Sequence, residues 1–354
     1  MKGQGSVFAV GARTPIGLNA EQTALMLRTG LPALTAAPLV APDGGSVTMA
    51  YDSTQDPYTV GEERAAILAD QALREIATVV GAALKDARGA PKPLKLRVAL
   101  AFPEPRPGQQ RSEIGRVLAM RLRASLRQTF GDPDVDLSTS GSAGLASILP
   151  DALTSLAMRE VDAVLVGGVH SDFDPMQITA LDVAGRLFSA ERIDAVIPGE
   201  CAAFALIARE DFGASHGLRP LCRIHAVASE AGEISAYDDT SAFDATALAT
   251  VIRQSTSVLP DEMKVGWAIS DHGFEHYRVR ELYAALTRTN TLWCPPIAID
   301  APAQRIGQLG AAALPLGLVL ASDMFKRGYA PTPMGLLLAG SDGGERGGIL
   351  VGAP

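Results

Sequence analysis

The chain has 354 residues, of which 47% are hydrophobic and 20% are charged, and its formal net charge at pH 7 is −8. This composition supplies enough apolar residues for a buried core and excludes an intrinsically disordered protein. The negative charge argues against a broad basic surface for nucleic acid or anionic lipid. The longest apolar run, residues 309–321, is shorter than the roughly 20 residues that cross a bilayer, and the N-terminus has no signal-peptide pattern. We therefore expect no nucleic-acid partner and no membrane association.

The three cysteines, Cys201, Cys222 and Cys294, are widely spaced and form no CxxC pair. An odd number with this spacing indicates neither a disulfide framework nor a zinc site, which favours the reducing cytoplasm. His272 and His276 have a zinc-binding spacing only if one helix continues through Gly273, and the glycine and the strand before it argue against such a helix. We expect no metal and no cofactor.

Strand and helix patterns alternate along the chain. Residues 6–11 predict a strand and residues 21–28 an amphipathic helix, whereas the Gly, Pro, Asp and Ser of residues 38–60 indicate a loop before a helix over residues 61–84. Further strands are predicted at residues 98–102, 132–138, 161–168, 201–208, 222–228, 265–270, 334–339 and 348–351. Continuous apolar strands separated by helices are typical of a parallel or mixed sheet covered on both faces, so the predicted class is α/β.

An internal repeat predicts two similar halves. When residues 142–153 are set against residues 307–318, identical residues coincide at Ala146/Ala311, Leu149/Leu314, Pro150/Pro315 and Leu153/Leu318. Each copy continues as a helix and then a strand. We therefore expect one globular unit with halves at residues 1–215 and 216–354, related by a pseudo-twofold, and a site where Ser142 and Gly307 approach each other.

The order of these segments resembles the thiolase fold, and several motifs are similar to those of its β-ketoacyl synthase branch. These motifs are Gly11-Ala-Arg-Thr-Pro-Ile-Gly17, residues 160–168, Ile197-Pro-Gly-Glu-Cys-Ala-Ala203, Asp271-His-Gly273, Gly307-Gln-Leu-Gly-Ala-Ala312 and the glycine-rich residues 341–348. Residues 160–168 are similar to the strand that follows the helix carrying the nucleophile in these synthases. The resemblance covers nearly the whole chain and implies a layered αβαβα architecture.

The Cys-His-His set that the resemblance implies is incomplete. The spacing in these synthases puts the nucleophile position at Ser142, and Gly307 or Gln308 stands where the second histidine would be, which leaves His272. Unlike a cysteine thiolate, a serine alkoxide is too basic to be populated at neutral pH. Ser142 would therefore need a base, for which His272 is the candidate. The alternatives are that Ser142 is a helix N-cap and that His272 is simply a hydrogen-bonded side chain.

The carbonyl of a bound acyl group would need hydrogen-bond donors near Ser142. The candidates for this oxyanion or acyl-binding role are Gln308, Gly307, Gly343 and Gly344. Gln308 either takes the place of the missing histidine or is a surface residue, and the sequence leaves both possibilities open.

A local basic segment at residues 106–127 holds six arginines and one glutamate. Arg116, Arg123 and Arg127 fall on one face of a predicted helix. Because an acyl-carrier protein is acidic, this face is a candidate docking surface; the alternative is a solvated helix face.

Two functions fit these observations. The first is acyl transfer through Ser142 with His272 as base, on thioesters of acyl-carrier protein or CoA in fatty-acid or polyketide-type metabolism. The second is a non-catalytic subunit that binds an acyl chain or sets chain length beside an active ketosynthase. The resemblance also implies a homodimer, or a heterodimer with an active ketosynthase, formed through the strand near residues 134–138. A dehydrogenase is disfavoured because Gly11 and Gly17 do not complete a dinucleotide-binding motif.

Overall fold

The computed structural model describes residues 4–84, 94–105, 109–110, 114–236 and 244–354, so Arg106 and Arg111 of the basic segment lie outside the described residues. The described strands are β1 Gly5–Arg13, β2 Thr35–Val40, β3 Ser46–Met49, β4 Leu96–Ala101, β5 Asp134–Ser138, β6 Ala163–Ser171, β7 Glu200–Ala208, β8 Cys222–Ala231, β9 Val265–Ser270, β10 Trp293–Asp300, β11 Met334–Gly340 and β12 Glu345–Gly352. The described α-helices are α1 Ala20–Arg28, α2 Gly61–Ala83, α3 Arg116–Phe130, α4 Gly144–Ala157, α5 Pro175–Val183, α6 Glu210–Ser215, α7 Thr246–Thr256, α8 His276–Arg288, α9 Ala303–Ile306 and α10 Ala313–Arg327.

One strand order occurs twice. The first half has the order β5-β4-β6-β7-β1, and the second repeats it as β10-β9-β11-β12-β8. In each half the first two strand pairs are parallel and the next two are antiparallel. Residues 5–7 of β1 pair with residues 222–224 of β8, which joins the halves. The predicted pair of similar halves is therefore present, whereas the domain boundary after residue 215 stays a prediction because the sheet continues across it.

The helices form the layers that the fold class predicts. α4 and α10 contact strands of both halves and lie between them, α2 and α3 cover the outer face of the first half, and α7 and α8 cover that of the second. Apolar residues of α4 and α10, among them Leu149 and Leu318, are fully buried in the largest core cluster. The αβαβα arrangement of the thiolase fold is confirmed.

The repeat has a different register in the structure. Single 3₁₀ turns, Gly141–Ala143 and Gly310–Ala312, precede α4 and α10, so Gly141 corresponds to Gly310. The sequence match, which set Ala146 against Ala311, is displaced by four residues, or about one helical turn. A shift of one turn keeps apolar residues on the same helix face, which is why the pattern alone did not separate the two registers.

Two further elements differ from the prediction. β2 and β3 form a hairpin within the expected loop, because Leu39, Val47 and Met49 pack against Phe173. β10 was missed because it contains Pro295 and Pro296, which a sheet tolerates at an edge strand such as this one. Within the described residues, no helix combines the length and apolar character needed to cross a membrane.

Candidate functional site

The two 3₁₀ turns meet at the junction of the halves. Both begin with a glycine in the left-handed region, Gly141 with φ 57° and Gly310 with φ 46°. The turns contact each other, and beside them lies a cavity of about 230 Å³. Ser142, Gln308 and Gly310 line this cavity, whereas Gly307, which was expected to approach Ser142, is not among the residues that line it.

Ser142 lies inside its turn and is not the N-cap of α4. The N-cap position is Ala143, whose amide donates to the Ser341 hydroxyl at 3.0 Å, and no side chain caps this helix. Ser142 is 9% exposed, and its hydroxyl has no hydrogen-bond partner among the described residues. The N-cap interpretation is therefore not supported, and the hydroxyl is available to a ligand.

His272 does not share the cavity of Ser142. It lines a separate space of about 10 Å³ beside Arg278 and Glu281, and its Nδ1 has no partner among the described residues. Burial lowers the pKa of His272 below its usual value of 6.5. Successive residues point to opposite sides after the end of β9, so the flanking Asp271 and Gly273 line the larger cavity instead. Ser142 and His272 therefore line different cavities.

The predicted oxyanion donors differ in availability. The amide of Gly343 donates to Glu104 Oε2 at 2.7 Å, and the amide of Gly344 donates to the Ser341 carbonyl at 3.2 Å. Gly307 has φ 70° and a Cβ there would lie 2.4 Å from the Pro198 carbonyl, so this position serves close backbone packing.

Gln308 is the remaining predicted donor. Its backbone amide donates to the Ile197 carbonyl at 2.8 Å, while its side-chain Oε1 is buried without a partner in the described part of the chain. Gln308 lines the cavity; its unpartnered Oε1 is an acceptor, so the donor to an acyl carbonyl would be the side-chain Nε2.

Sequence reasoning missed Glu104, which follows β4 and lines the cavity. Its Oε1 accepts from the Asp342 amide at 2.6 Å, and its Oε2 accepts from the Gly343 amide. Burial, together with the charge of Asp342, raises the pKa of Glu104 to about 7. Its position after the carboxyl end of a parallel strand was an available signal, since ligand sites of α/β sheets lie at such ends.

Sequence reasoning also missed a histidine and aspartate pair. His170 lines the cavity at the end of β6, and its Nε2 lies 2.9 Å from Asp172 Oδ2, which also accepts from the Gly199 amide at 3.1 Å. Ser142 therefore shares its cavity with a carboxylate-bound histidine.

Buried ion pairs hold one wall of the cavity. Arg186 binds the carboxylates of Glu275 and Asp342, with four N–O distances of 2.7 to 3.0 Å. Arg278 binds Asp271 at 2.8 Å. These contacts fix the position of the residues that follow β9 and β11.

The cysteines lie elsewhere. Cys201 and Cys222 are fully buried in β7 and β8, and burial raises the pKa of Cys201 and raises that of Cys222 to about 12. Cys294 is exposed on β10. Of the residues that the structure describes, no cysteine lines the cavity, and no cluster of three or more potential ligands could hold a metal ion.

The predicted docking arginines are exposed on α3. Arg127 pairs with Asp132 at 2.8 Å, and Arg116 and Arg123 point into solvent. The helix begins beside the cavity: Gly115 and Leu118 line it, and their amides donate to the Glu62 carboxylate. Arg116 thus stands next to the cavity wall.

Comparisons with known proteins agree with this architecture. Residues 123–211 match the family model described as beta-ketoacyl synthase, N-terminal domain. The ishigamide ketosynthase/chain length factor has a TM-score of 0.79 at 14% identity, with 100% of both chains covered. The complex AntDE:AntF, a type II PKS acyl-carrier protein with its ketosynthase bound to the hexaketide, has a TM-score of 0.78 at 13% identity, also with 100% of both chains covered.

A third structure is the ketosynthase from module 6 of the bacillaene synthase from Bacillus subtilis 168. Its TM-score is 0.75 at 14% identity, and the match covers 99% of this chain and 72% of that one. A search of curated protein sequences found no match. The chain therefore has the thiolase fold in the form found in ketosynthases, as the order of its sequence motifs predicted.

Proposed function

We propose that this chain is a ketosynthase-like subunit that binds an acyl group at the junction of its halves without condensing it, and that it works beside an active ketosynthase. The observation that supports this most directly is the composition of the two turns at the cavity. They read Gly141-Ser-Ala143 and Gly310-Ala-Ala312, and neither contains a thiol.

The surroundings of Ser142 support a binding role. A serine becomes a nucleophile when a base is hydrogen-bonded to it and amides are free to hold the oxyanion. His272 faces another cavity, and the amides of Gly343 and Gly344 already donate to groups of the protein. The Ser142 hydroxyl and the Gln308 Nε2 are the cavity groups that we propose as hydrogen-bond donors to an acyl carbonyl.

The partner that we propose is an active ketosynthase, with a homodimer as the alternative. One of the similar structures is the ishigamide ketosynthase/chain length factor, which matches over the full length of both chains. β5 forms one end of the sheet, and an edge strand offers unpaired backbone groups to a second chain. We propose that the subunits pair along β5.

The second partner that we propose is an acyl-carrier protein, with acyl-CoA as the alternative donor. The exposed arginines of α3 lie on a helix whose first turn borders the cavity. A carrier bound there would have a short path for its acyl group to the junction of the halves.

Acyl transfer through Ser142 is the second candidate function. One observation favours it: His170, hydrogen-bonded to Asp172, lines the same cavity as Ser142. A histidine held by a carboxylate is a suitable general base for a serine. In this route His170 takes the role that the sequence suggested for His272.

Mass spectrometry of the intact protein with acyl-CoA and acyl-carrier donors separates the two candidates. We expect a complex that survives gentle ionisation and disappears on denaturation, because binding without transfer leaves no covalent bond. A covalent adduct that is lost in Ser142→Ala and kept in Ser147→Ala, a serine in the first turns of the same helix, would establish acyl transfer instead.

A further inference from the structure

Glu104 bridges the two halves in front of the first turn. It follows β4 of the first half, and both its oxygens accept amide hydrogen bonds from the segment between β11 and β12 of the second half. A Cβ at Gly141 would lie 3.0 Å from Glu104 Oε1. The carboxyl group therefore occupies the space into which a side chain of residue 141 would project.

The other carboxylates near Glu104 are stabilised separately. Arg186 binds Asp342 and Glu275, and Arg278 binds Asp271. In the described chain, no cation forms an ion pair with Glu104. Burial and the nearby charges of Asp342 and Glu345 raise the pKa of Glu104 by more than its two amide hydrogen bonds lower it. Its neutral, protonated form is consequently accessible near neutral pH, where it is a hydrogen-bond donor.

The charged surroundings are predominantly acidic. The titratable or charged side chains that line the cavity with Glu104 and Asp342 are Glu62, His170, Asp172, Asp174, Asp271, Glu275 and Arg278. Glu62 accepts the first amides of α3, and Asp174 caps α5. Among the described residues that line the cavity the one guanidinium, that of Arg278, is already paired, so a carboxylate on the ligand would meet like charges there and no unpaired guanidinium.

We infer that Glu104 is the group of this cavity that recognises an uncharged acyl group: its protonated carboxyl donates to the acyl carbonyl oxygen, and the cavity rejects acyl groups that carry a carboxylate. The inference rests on the proposed acyl-binding function. The cavity volume of about 230 Å³ is slightly below that of common ligand pockets, roughly 300–1,000 Å³, which favours a short acyl group.

Butyryl-CoA and malonyl-CoA test this inference because they share the CoA moiety and differ in the charge of the acyl end. We expect calorimetric titration to give tighter binding of butyryl-CoA. Since the pKa of Glu104 is about 7, its protonated fraction falls from about nine-tenths to one-tenth between about pH 6 and pH 8, and butyryl-CoA should bind roughly tenfold more weakly at the higher pH.

Glu104→Gln is the informative variant, because glutamine keeps a carbonyl acceptor and an N–H donor but does not titrate. It should bind butyryl-CoA with little pH dependence and should discriminate less against malonyl-CoA. Glu160→Gln is the matched control: it removes an exposed charge that does not line the cavity and should keep both the pH dependence and the discrimination. Thermal unfolding of each variant establishes that it is folded.

The outcomes distinguish the inference from the proposed function. Equal affinity for the two CoA thioesters, or a pH dependence that persists in Glu104→Gln, would overturn the role of Glu104 while leaving acyl binding intact. If the folded protein binds neither butyryl-CoA nor malonyl-CoA at either pH value, the proposed function and the inference are overturned together.

Discussion

Arg64 and Glu200 form an ion pair in which neither side chain is exposed to solvent. The guanidinium Nε lies 2.6 Å from Oε1, and Nη2 lies 3.1 Å from Oε2. The hydroxyl of Ser171 and the amide of Asp52 donate to the same carboxylate, and the guanidinium lies over the ring of Phe173 at 3.9 Å. Helix α2, strand β7 and the segment after β3 are thereby fixed to one another.

Breaking this buried ion pair should therefore lower the free energy of unfolding much more than breaking an exposed ion pair does. Glu200→Ala leaves a buried guanidinium without its partner, and we expect the free energy of unfolding to fall by about 3–5 kcal/mol. Arg74→Ala, which removes the exposed pair of Arg74 with Asp70 on the same helix, should cost less than about 1 kcal/mol. Urea unfolding measures both; similar losses would contradict the structural role of the buried pair.

Gly310 should resist substitution because both its backbone and its surroundings require glycine. Its φ of 46° is unfavourable for other residues, and a Cβ would lie 2.2 Å from Nδ1 of His170. Gly328 has φ 70° but open space around it, so Gly328→Ala should cost only the backbone term of about 1–2 kcal/mol. Gly310→Ala should cost roughly 1–3 kcal/mol more, as overpacking does. Equal costs in denaturant unfolding would mean that His170 moves away freely.

The order of elements could be predicted from the sequence, whereas their contacts at the site could not. Apolar strands and helices repeat in both halves, so the α/β layers follow from the pattern. The sequence alignment of the two central helices, α4 and α10, was displaced by one helical turn, because a shift of one turn leaves the same apolar face buried. Glu104 and Asp342 are 238 residues apart, and no local pattern indicates their contact.

The misplacement of His272 has a simpler cause. The resemblance indicated a histidine after β9, but the alternation of an extended chain turns His272 away from the cavity and Asp271 towards it. His170 lies near the end of β6, which corresponds to β11 of the second half and not to β9, and this strand order was not visible in the sequence. Orientation at strand ends, rather than residue type, decides which histidine reaches the cavity.

Burial of His272 should make stability depend on pH. Because the pKa of His272 is lower in the folded than in the unfolded chain, the unfolded chain takes up the proton first as the pH falls. The contribution of neutral His272 to the free energy of unfolding is complete above pH 6.5, the pKa of the unfolded chain. It is lost as the pH falls from there through the lower pKa of the folded chain. The free energy of unfolding of His272→Gln should therefore decline less on acidification than that of the wild type. His276→Gln, at an exposed position, should follow the wild type; a parallel decline in His272→Gln would contradict this prediction.

Pairing along β5 predicts that Leu137 becomes buried in an assembly. Its side chain is 39% exposed in the single chain, on a strand at the end of the sheet. Leu137→Lys should convert a dimer into a monomer in light scattering, because it places a charge in the interface. Leu25→Lys alters a comparably exposed leucine on α1, 44% exposed, and should leave the assembly unchanged. A wild-type monomer at all concentrations would contradict pairing of this chain with itself and leave only the heterodimer to test.

Docking of an acidic carrier on α3 predicts a charge-dependent affinity. The double variant Arg116→Glu and Arg123→Glu reverses two exposed charges beside the cavity and should weaken binding of an acyl-carrier protein roughly tenfold or more. Added salt should weaken wild-type binding in the same direction, since the charges are exposed to solvent. Arg253→Glu on α7, which covers the outer face of the other half, has the same change of charge per residue and should bind as the wild type does. If the double variant binds the carrier unchanged, α3 is a solvated face and the carrier approaches the cavity from another side.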